Sequence, residues 1–411
     1  MSKILKFPKN FLWGAATSAH QVEGENRNDW SEWEKKNAPR LALLARGKQW
    51  QDWQKERFPE MFDKKNYISG IACDHYHKFK EDFDLAKSLG HNAHRFSIEW
   101  SRIEPEEGKF NEKEIEHYKQ VILALRERGI EPFVTLWHWT IPIWLAKKGG
   151  WFNKDAPKYF ERYVEKIITS CDNVNFWITL NEPMVFISYG WMGLRPPKIN
   201  GFLQAFKIFR NLVLAHKKAY KIINKHGNQY QVGIAKHNKS FITGDNKLHN
   251  KIFTKISKFL WNDCFLWKIK NYQDFVGLNY YNCDMIKFSW KDTRKGFYNL
   301  HNSPEGFYYV LIDLKKYKKP IYVLENGIND STDKNRLEFI KSHITFLGKA
   351  IEQGVNIKGY FHWSLLDNFE WENGFEPRFG LVEVDYKTME RKIRKSAYAY
   401  AKICKTNELD L

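Results

Sequence analysis

The chain has 411 residues and carries 66 Lys+Arg against 48 Asp+Glu, a formal charge of +18 at pH 7. Its 43% hydrophobic content and its 17 Trp, 20 Tyr and 30 Phe exclude a disordered or low-complexity chain. The length admits two or three average domains, or one large α/β barrel of about 200 to over 400 residues. Cys73, Cys171, Cys264, Cys283 and Cys404 are odd in number and far apart, with no C-x-x-C pair. That excludes a disulfide framework and a zinc site and favours a reducing compartment. Pro8, Lys9 and Asn10 interrupt any apolar signal core at the N-terminus. No run reaches the ~18 apolar residues of a membrane span, so the chain reads as soluble and cytoplasmic. The basic excess raises a nucleic-acid reading. It reads as dispersed, however, and its dense pieces at 315–319 and 391–395 read as solvated helix ends.

In chain order, short apolar runs alternate with longer amphipathic stretches, the pattern of repeated β-α units on a parallel sheet. Strands are predicted at 11–16, 93–98, 132–137, 176–180, 232–235, 275–280, 321–324 and 359–363. Eight strands predict a closed barrel. Helical stripes lie at 75–89, 112–128, 156–168, 203–223, 307–314, 336–351 and 396–404; in 112–128, Ile115, Tyr118, Ile122 and Leu125 fall on one face and Gly129 supplies a stop. No Pro/Gly/Ser linker divides the chain, so 1–411 reads as a single (β/α)8 domain with an α/β, TIM-barrel fold and its site at the C-terminal strand ends.

Two segments exceed that repeat. Residues 29–70, with Trp30, Trp33, Trp50 and Trp53, are too long for a plain βα loop and form either a wall near the active-site face or a satellite core of their own. In 247–270, Ile252, Phe253, Ile256, Phe259, Leu260 and Trp267 alternate with lysines. A basic amphipathic helix of this kind suits a membrane surface, but an outer barrel helix needs the same pattern, and no membrane partner is expected.

Function shows where polar residues end apolar runs. Ile178-Thr179-Leu180-Asn181-Glu182-Pro183 and Ile321-Tyr322-Val323-Leu324-Glu325-Asn326-Gly327 each put a glutamate at the catalytic end of a barrel strand. Singly, either acid reads as a cap or a surface charge; as a pair, they suit glycoside hydrolysis. One carboxyl must hold a proton while the other is ionised, so their environments must differ. Arg95 could hold one of them ionised, and a tyrosine of Asn279-Tyr280-Tyr281 could orient it. Sugars also need aromatic platforms flanked by amides, acids and imidazoles. Leu136-Trp137-His138-Trp139, His362-Trp363-Ser364, Asp367-Asn368-Phe369-Glu370-Trp371 and Gln21 supply them.

With these motifs, the chain resembles glycoside hydrolase family 1, the retaining β-glycosidases. Further carriers of the resemblance are Phe11-Leu12-Trp13-Gly14-Ala15-Ala16-Thr17-Ser18-Ala19-His20-Gln21-Val22-Glu23-Gly24, Arg95-Phe96-Ser97-Ile98-Glu99-Trp100-Ser101-Arg102-Ile103 and the stretch from Trp363 to Trp371. The resemblance implies that Glu182 is the acid/base and Glu325 the nucleophile, supported by Arg95, Asn279 and Tyr281. It further implies that Gln21, His138, Asn181, Glu370 and Trp371 bind sugar hydroxyls, with Trp363 beneath the sugar and Trp139 and Phe379 as further walls. No metal or other cofactor is implied. The expected substrates are small β-glycosides or short oligosaccharides, with β-glucosides ranked before β-galactosides and β-fucosides, and no nucleic acid is expected as a partner. The oligomeric state is left open.

Leu324 stands where the family commonly has Thr, and Thr140 where Asp usually follows the His-Trp pair. The chain is shorter than most relatives, chiefly between 238 and 275 and between 282 and 303, which reduces the outer substrate site. Competing readings are a 6-phospho-β-glycosidase, against which Trp371 and the acidic Glu372 and Glu376 argue, and a sugar binder with weakened catalysis.

Overall fold

The computed structural model describes residues 4–227, 229–288 and 297–411. Eight parallel strands close into a barrel: β1 (Leu12–Ala16), β2 (Ala93–Ser97), β3 (Glu131–Thr135), β4 (Phe176–Asn181), β5 (Gln231–His237), β6 (Val276–Asn279), β7 (Ile321–Asn326) and β8 (Ile357–Trp363). Each pairs with its neighbour in chain order, and β8 returns to β1 in the register Gly359↔Leu12 to Trp363↔Ala16. The outer helices are α1 (His75–Ser88), α2 (Glu112–Glu127), α3 (Ala156–Ser170) and α4 (Phe202–His226), then α5, made of Leu248–Lys258, a π turn Phe259–Asp263 and Cys264–Ile269. They continue with α6 (Pro304–Leu314), α7 (Arg336–Glu352) and α8 (Lys395–Thr406). A small antiparallel pair, Ile4–Lys6 with Glu408–Asp410, ties the two ends of the described chain together.

The barrel interior is divided by chemistry. Its lower part is an aromatic plug of Phe133, Phe176, Phe275, Tyr322 and Phe361, with Phe133 stacked on Phe176 at 4.1 Å. Leu324 belongs to this plug, and the space for it comes from Gly277, where a Cβ would meet Leu324 Cδ1 at 2.3 Å. The departure from Thr is thus absorbed by a bare backbone on the neighbouring strand. Above the plug the interior turns polar, beginning with the fully buried Arg95 of β2 and Thr135 of β3.

Strand ends differ from the sequence expectation in both directions. β4, β5 and β7 run on through Asn181, His237 and Asn326. These polar residues point to the end of an apolar run, yet the ladder persists, and the Asn181 and Asn326 side chains find partners inside the barrel. β3 stops at Thr135, before the expected 137.

Segment 29–70 combines a small core of its own with residues of a cavity wall. Asp29–Arg46 is an 18-residue helix whose Asn28 cap accepts from Ser31 N. With a short helix (Asp52–Arg57) and two 3-10 turns, it encloses a satellite core of Ala38, Leu41, Ala42, Ala45 and Tyr67. Lys48 and Trp50 also reach the wall of the large cavity described below.

The outer helix expected for 247–270 is present, but most of its apolar stripe is not buried. The segment does form an outer element, but it seats only Phe265, Leu266 and Ile269 in the core and leaves Ile252, Phe253, Ile256, Phe259, Leu260 and Trp267 exposed. Of the shortened segment 282–303, residues 289–296 lie outside the described residues.

Candidate active site

The two glutamates named from the sequence reach one cavity of about 730 Å³ at the C-terminal end of the barrel. Glu182 follows β4 with φ 46°, a left-handed conformation that turns the strand directly into the helix Pro183–Trp191. Its N–H donates to Ala235 O at 2.8 Å, fixing the turn to β5. Glu325 lies within β7, and the chain beyond it passes very close to β8: a Cβ on Gly327 would sit 1.8 Å from Trp363 O. Only a glycine permits that approach.

The surroundings of the two acids differ in kind. Glu325 forms an ion pair with Arg95 Nη1 and accepts a hydrogen bond from Tyr281 Oη at 2.6 Å, partners that suit an anion. Tyr281 itself is held well above its ordinary pKa, by burial and then by the charge of Glu325, so it remains a donor. Among the described residues Glu182 has no salt-bridge partner, and its one side-chain hydrogen bond is from Asn279 Nδ2 at 2.9 Å. Burial, and then the charge of Glu325, pushes its pKa up to about 8. One carboxyl is thereby arranged to keep a proton beside another dressed as an anion.

A hydrogen-bonded frame joins the two acids. Arg95 donates through Nη2 to Asn181 Oδ1 at 2.7 Å and through Nε to Thr135 Oγ1 at 3.0 Å. Asn279 Nδ2 is also 3.2 Å from Asn181 Oδ1, and Asn181 Nδ2 donates to His138 Nε2 at 3.1 Å. Burial and the Arg95 charge lower the His138 pKa well below its ordinary value, so the ring is neutral. With Nε2 accepting, its proton sits on Nδ1. His138 Nδ1 and Asn279 Oδ1 are buried and have no partner among the described residues. The open His138 donor, on a residue of the cavity wall, suits a hydroxyl group of a ligand.

The opposite wall is built from residues far away in sequence. Gln21 Nε2 lies 3.2 Å from Glu370 Oε2 and donates to Phe369 O at 2.8 Å, while Ser18 Oγ donates to Gln21 Oε1 at 2.6 Å. Burial raises the Glu370 pKa to about 8. Trp371 takes a left-handed φ of 53° and packs on His20, Trp30 and Trp139 at centroid distances of 5.4, 4.6 and 4.7 Å. His138 lies between Trp363 (6.1 Å) and Trp371 (6.0 Å), near-parallel to both. Phe379 closes this side, edge-on to Tyr281 at 6.5 Å. Gln21, His138, Trp139, Asn181, Trp363, Glu370, Trp371 and Phe379 all line the cavity that holds Glu182 and Glu325, whereas Arg95 and Asn279 stand behind it. Thr140, in place of an acid, donates to the buried Glu99 at 2.8 Å and is structural.

Other wall residues were not found from the sequence. Arg195 is buried, pairs with Glu372 at 2.6 Å, and stacks between Tyr189 and Trp139 with its guanidinium carbon 4.0 and 4.7 Å from their rings. Its partner is 177 positions away, and no local pattern signals the pair. Glu372 is therefore charge-compensated, which removes the weight placed on it as a repeller of phosphate. Lys239, 4.4 Å over Trp261 and 3.0 Å from Asp284, forms the outer wall together with His237 and Asn282.

A closed parallel barrel with two unlike buried carboxyls at its C-terminal end, framed by open hydrogen-bonding groups and indole faces, defines a glycosidase of the β/α-barrel class. The model for glycosyl hydrolase family 1 matches residues 4–266 and 263–409, and the chain belongs to that family. It is 34% identical over 460 aligned positions to β-glucosidase A of Thermotoga maritima, covering 99% of each chain. It is also 31% identical to a 6-phospho-β-galactosidase of Leptotrichia buccalis, covering all of both. Among solved structures, a β-glycosidase from Pyrococcus horikoshii superposes with a TM-score of 0.87 at 38% identity, covering 100% of this chain and 97% of the other.

Proposed function

We propose that this chain is a retaining, exo-acting β-glycosidase of β-glucosidase type, acting on terminal non-reducing β-D-glucosyl residues of small glycosides or short oligosaccharides, and that its 411 residues act as one catalytic domain. The carrying observation is the contrast between Glu325, dressed by Arg95 and Tyr281, and Glu182, whose proton is held to about pH 8. Glu325 attacks the anomeric carbon as its bond to the leaving oxygen breaks, and Glu182 gives that oxygen its proton. Water then attacks the glycosyl ester, losing a proton to Glu182 and releasing the sugar with its β configuration. Once esterified, Glu325 no longer carries the charge that raises Glu182, so the same carboxyl becomes acidic enough to act as the base.

The buried Glu370 beside Gln21 supports a plain sugar over a phosphorylated one, because a phosphate there would need a cation where the wall offers an acid. Arg195, whose charge acts on Glu370, is already committed to Glu372. Comparing phosphorylated and plain nitrophenyl glycosides tests this choice, and equal turnover would overturn it. The reaction class is tested by following product anomers by NMR: β-glucose appears first, and initial release of the α anomer would refute retention. Five free cysteines support a reducing, cytoplasmic setting.

A further inference from the structure

The net charge is concentrated where the exposed apolar surface is. Residues 183–270, about a fifth of the chain, hold 16 Lys+Arg and only Asp245 and Asp263 as acids, a net +14 of the total +18. No acid at all occurs from 183 to 244. The same stretch contains 15 of the 26 exposed large hydrophobic residues among the described ones. The excess is therefore concentrated here and not dispersed along the chain as expected.

The two properties share one side of the barrel. Phe209 of α4 packs edge-on against Phe265 of α5 at 5.5 Å, so these helices are neighbours. On α4, Phe202, Leu203 and Phe206 are 72, 75 and 54% exposed beside Lys207 and Arg210. On α5, Ile256, Phe259 and Leu260 are each about half exposed, and Lys251 and Lys255 stand next to them. These four cations make no ion pair among the described residues. α5 buries Phe265, Leu266 and Ile269, so its outward stripe is surplus to what holds the helix on the barrel.

We propose that the α4–α5 face is a docking surface for an anionic lipid bilayer, held by inserted apolar side chains and by lysine attraction to the headgroups. Charge and apolarity together select this occupant. A second copy of the chain would bring two strongly positive faces together. A nucleic acid would match the lysines but leave Ile256, Phe259 and Leu260 without an apolar partner. Attachment is peripheral, since no helix among the described residues is long and apolar enough to cross a membrane.

Co-sedimentation of the full chain with vesicles of phosphatidylcholine alone, or mixed with phosphatidylglycerol, tests the proposal. Binding to the mixed vesicles and not to the neutral ones is expected, and it weakens as salt rises. Replacing the stripe by I256S/F259S/L260S abolishes it. K251Q/K255Q weakens partitioning about tenfold or more. Circular dichroism melting of both variants, expected within a few degrees of the parent, separates lost docking from lost fold. Three results would overturn the proposal: no binding to mixed vesicles at low salt; salt-sensitive binding to duplex DNA that exceeds vesicle binding and survives the serine variant; or self-association removed by the serine variant without vesicle binding. None of these readouts depends on hydrolytic activity.

Discussion

Glu182→Gln tests the proton inventory of the site. In the parent, burial and the neighbouring Glu325 charge hold the Glu182 proton to about pH 8. At pH 7 about nine molecules in ten are then acid-competent, against about one in 300 for a carboxyl at an ordinary value near 4.5. The environment raises the competent population about 300-fold, and general acid catalysis acts through that population. The assay is kcat/KM against pH for phenyl, nitrophenyl and dinitrophenyl β-glucosides. Parent activity falls on the alkaline side near pH 8 for the poor leaving group. The glutamine variant loses that alkaline limb and drops about 10²- to 10⁴-fold on the phenyl glucoside, far less on the dinitrophenyl one, which needs little protonation. In enzyme trapped with a fluorosugar, Glu325 is neutral and the ionisation of Glu182 moves to lower pH. An alkaline limb below about pH 6 in the parent, or one unchanged in the variant, would refute this assignment.

Tyr281→Phe removes the 2.6 Å hydrogen bond to Glu325 while keeping the ring; a bond to a charged acceptor corresponds to about a 10- to 150-fold loss of kcat, measured with the nitrophenyl glucoside. Glu372→Ala strands the buried guanidinium of Arg195, at a cost on the order of 3 kcal/mol in urea unfolding, and Arg195→Met added to it recovers part of the loss. Stability falls as the solution is acidified below about pH 6.5. His91, His216 and His343 are buried, with pKa values lowered to about 3, 4 and 4, so the unfolded chain takes up their protons first. Their contribution is complete above the unfolded value and is lost as pH drops toward the folded ones; His91→Leu flattens this limb in melts taken against pH.

Much of the site was legible because barrel strands end in it: the run to Asn181-Glu182 and the run to Glu325-Asn326 show both acids and their frame as polar breaks in apolar strands. The pairings across the chain were not legible. Gln21 meets Glu370 across 349 positions and Arg195 meets Glu372 across 177, and such contacts exist only once the barrel closes. The helix stripes were legible where one face is buried, as at Ile115, Tyr118, Ile122 and Leu125. The same reasoning placed α5 as an outer element but missed its exposed stripe, because periodicity reports an apolar face without saying what covers it. Local charge runs likewise drew attention to 315–319, whereas the larger signal was the missing acids of 183–244, which a scan for dense runs does not see.

The most direct test is covalent capture of the nucleophile. A deoxyfluoro-β-glucoside with a good leaving group should inactivate the enzyme, and peptide mapping should find the sugar ester on Glu325, with Glu182 unlabelled. Turnover without an adduct on Glu325, or an adduct on another carboxylate, would contradict the double-displacement mechanism assigned to this site.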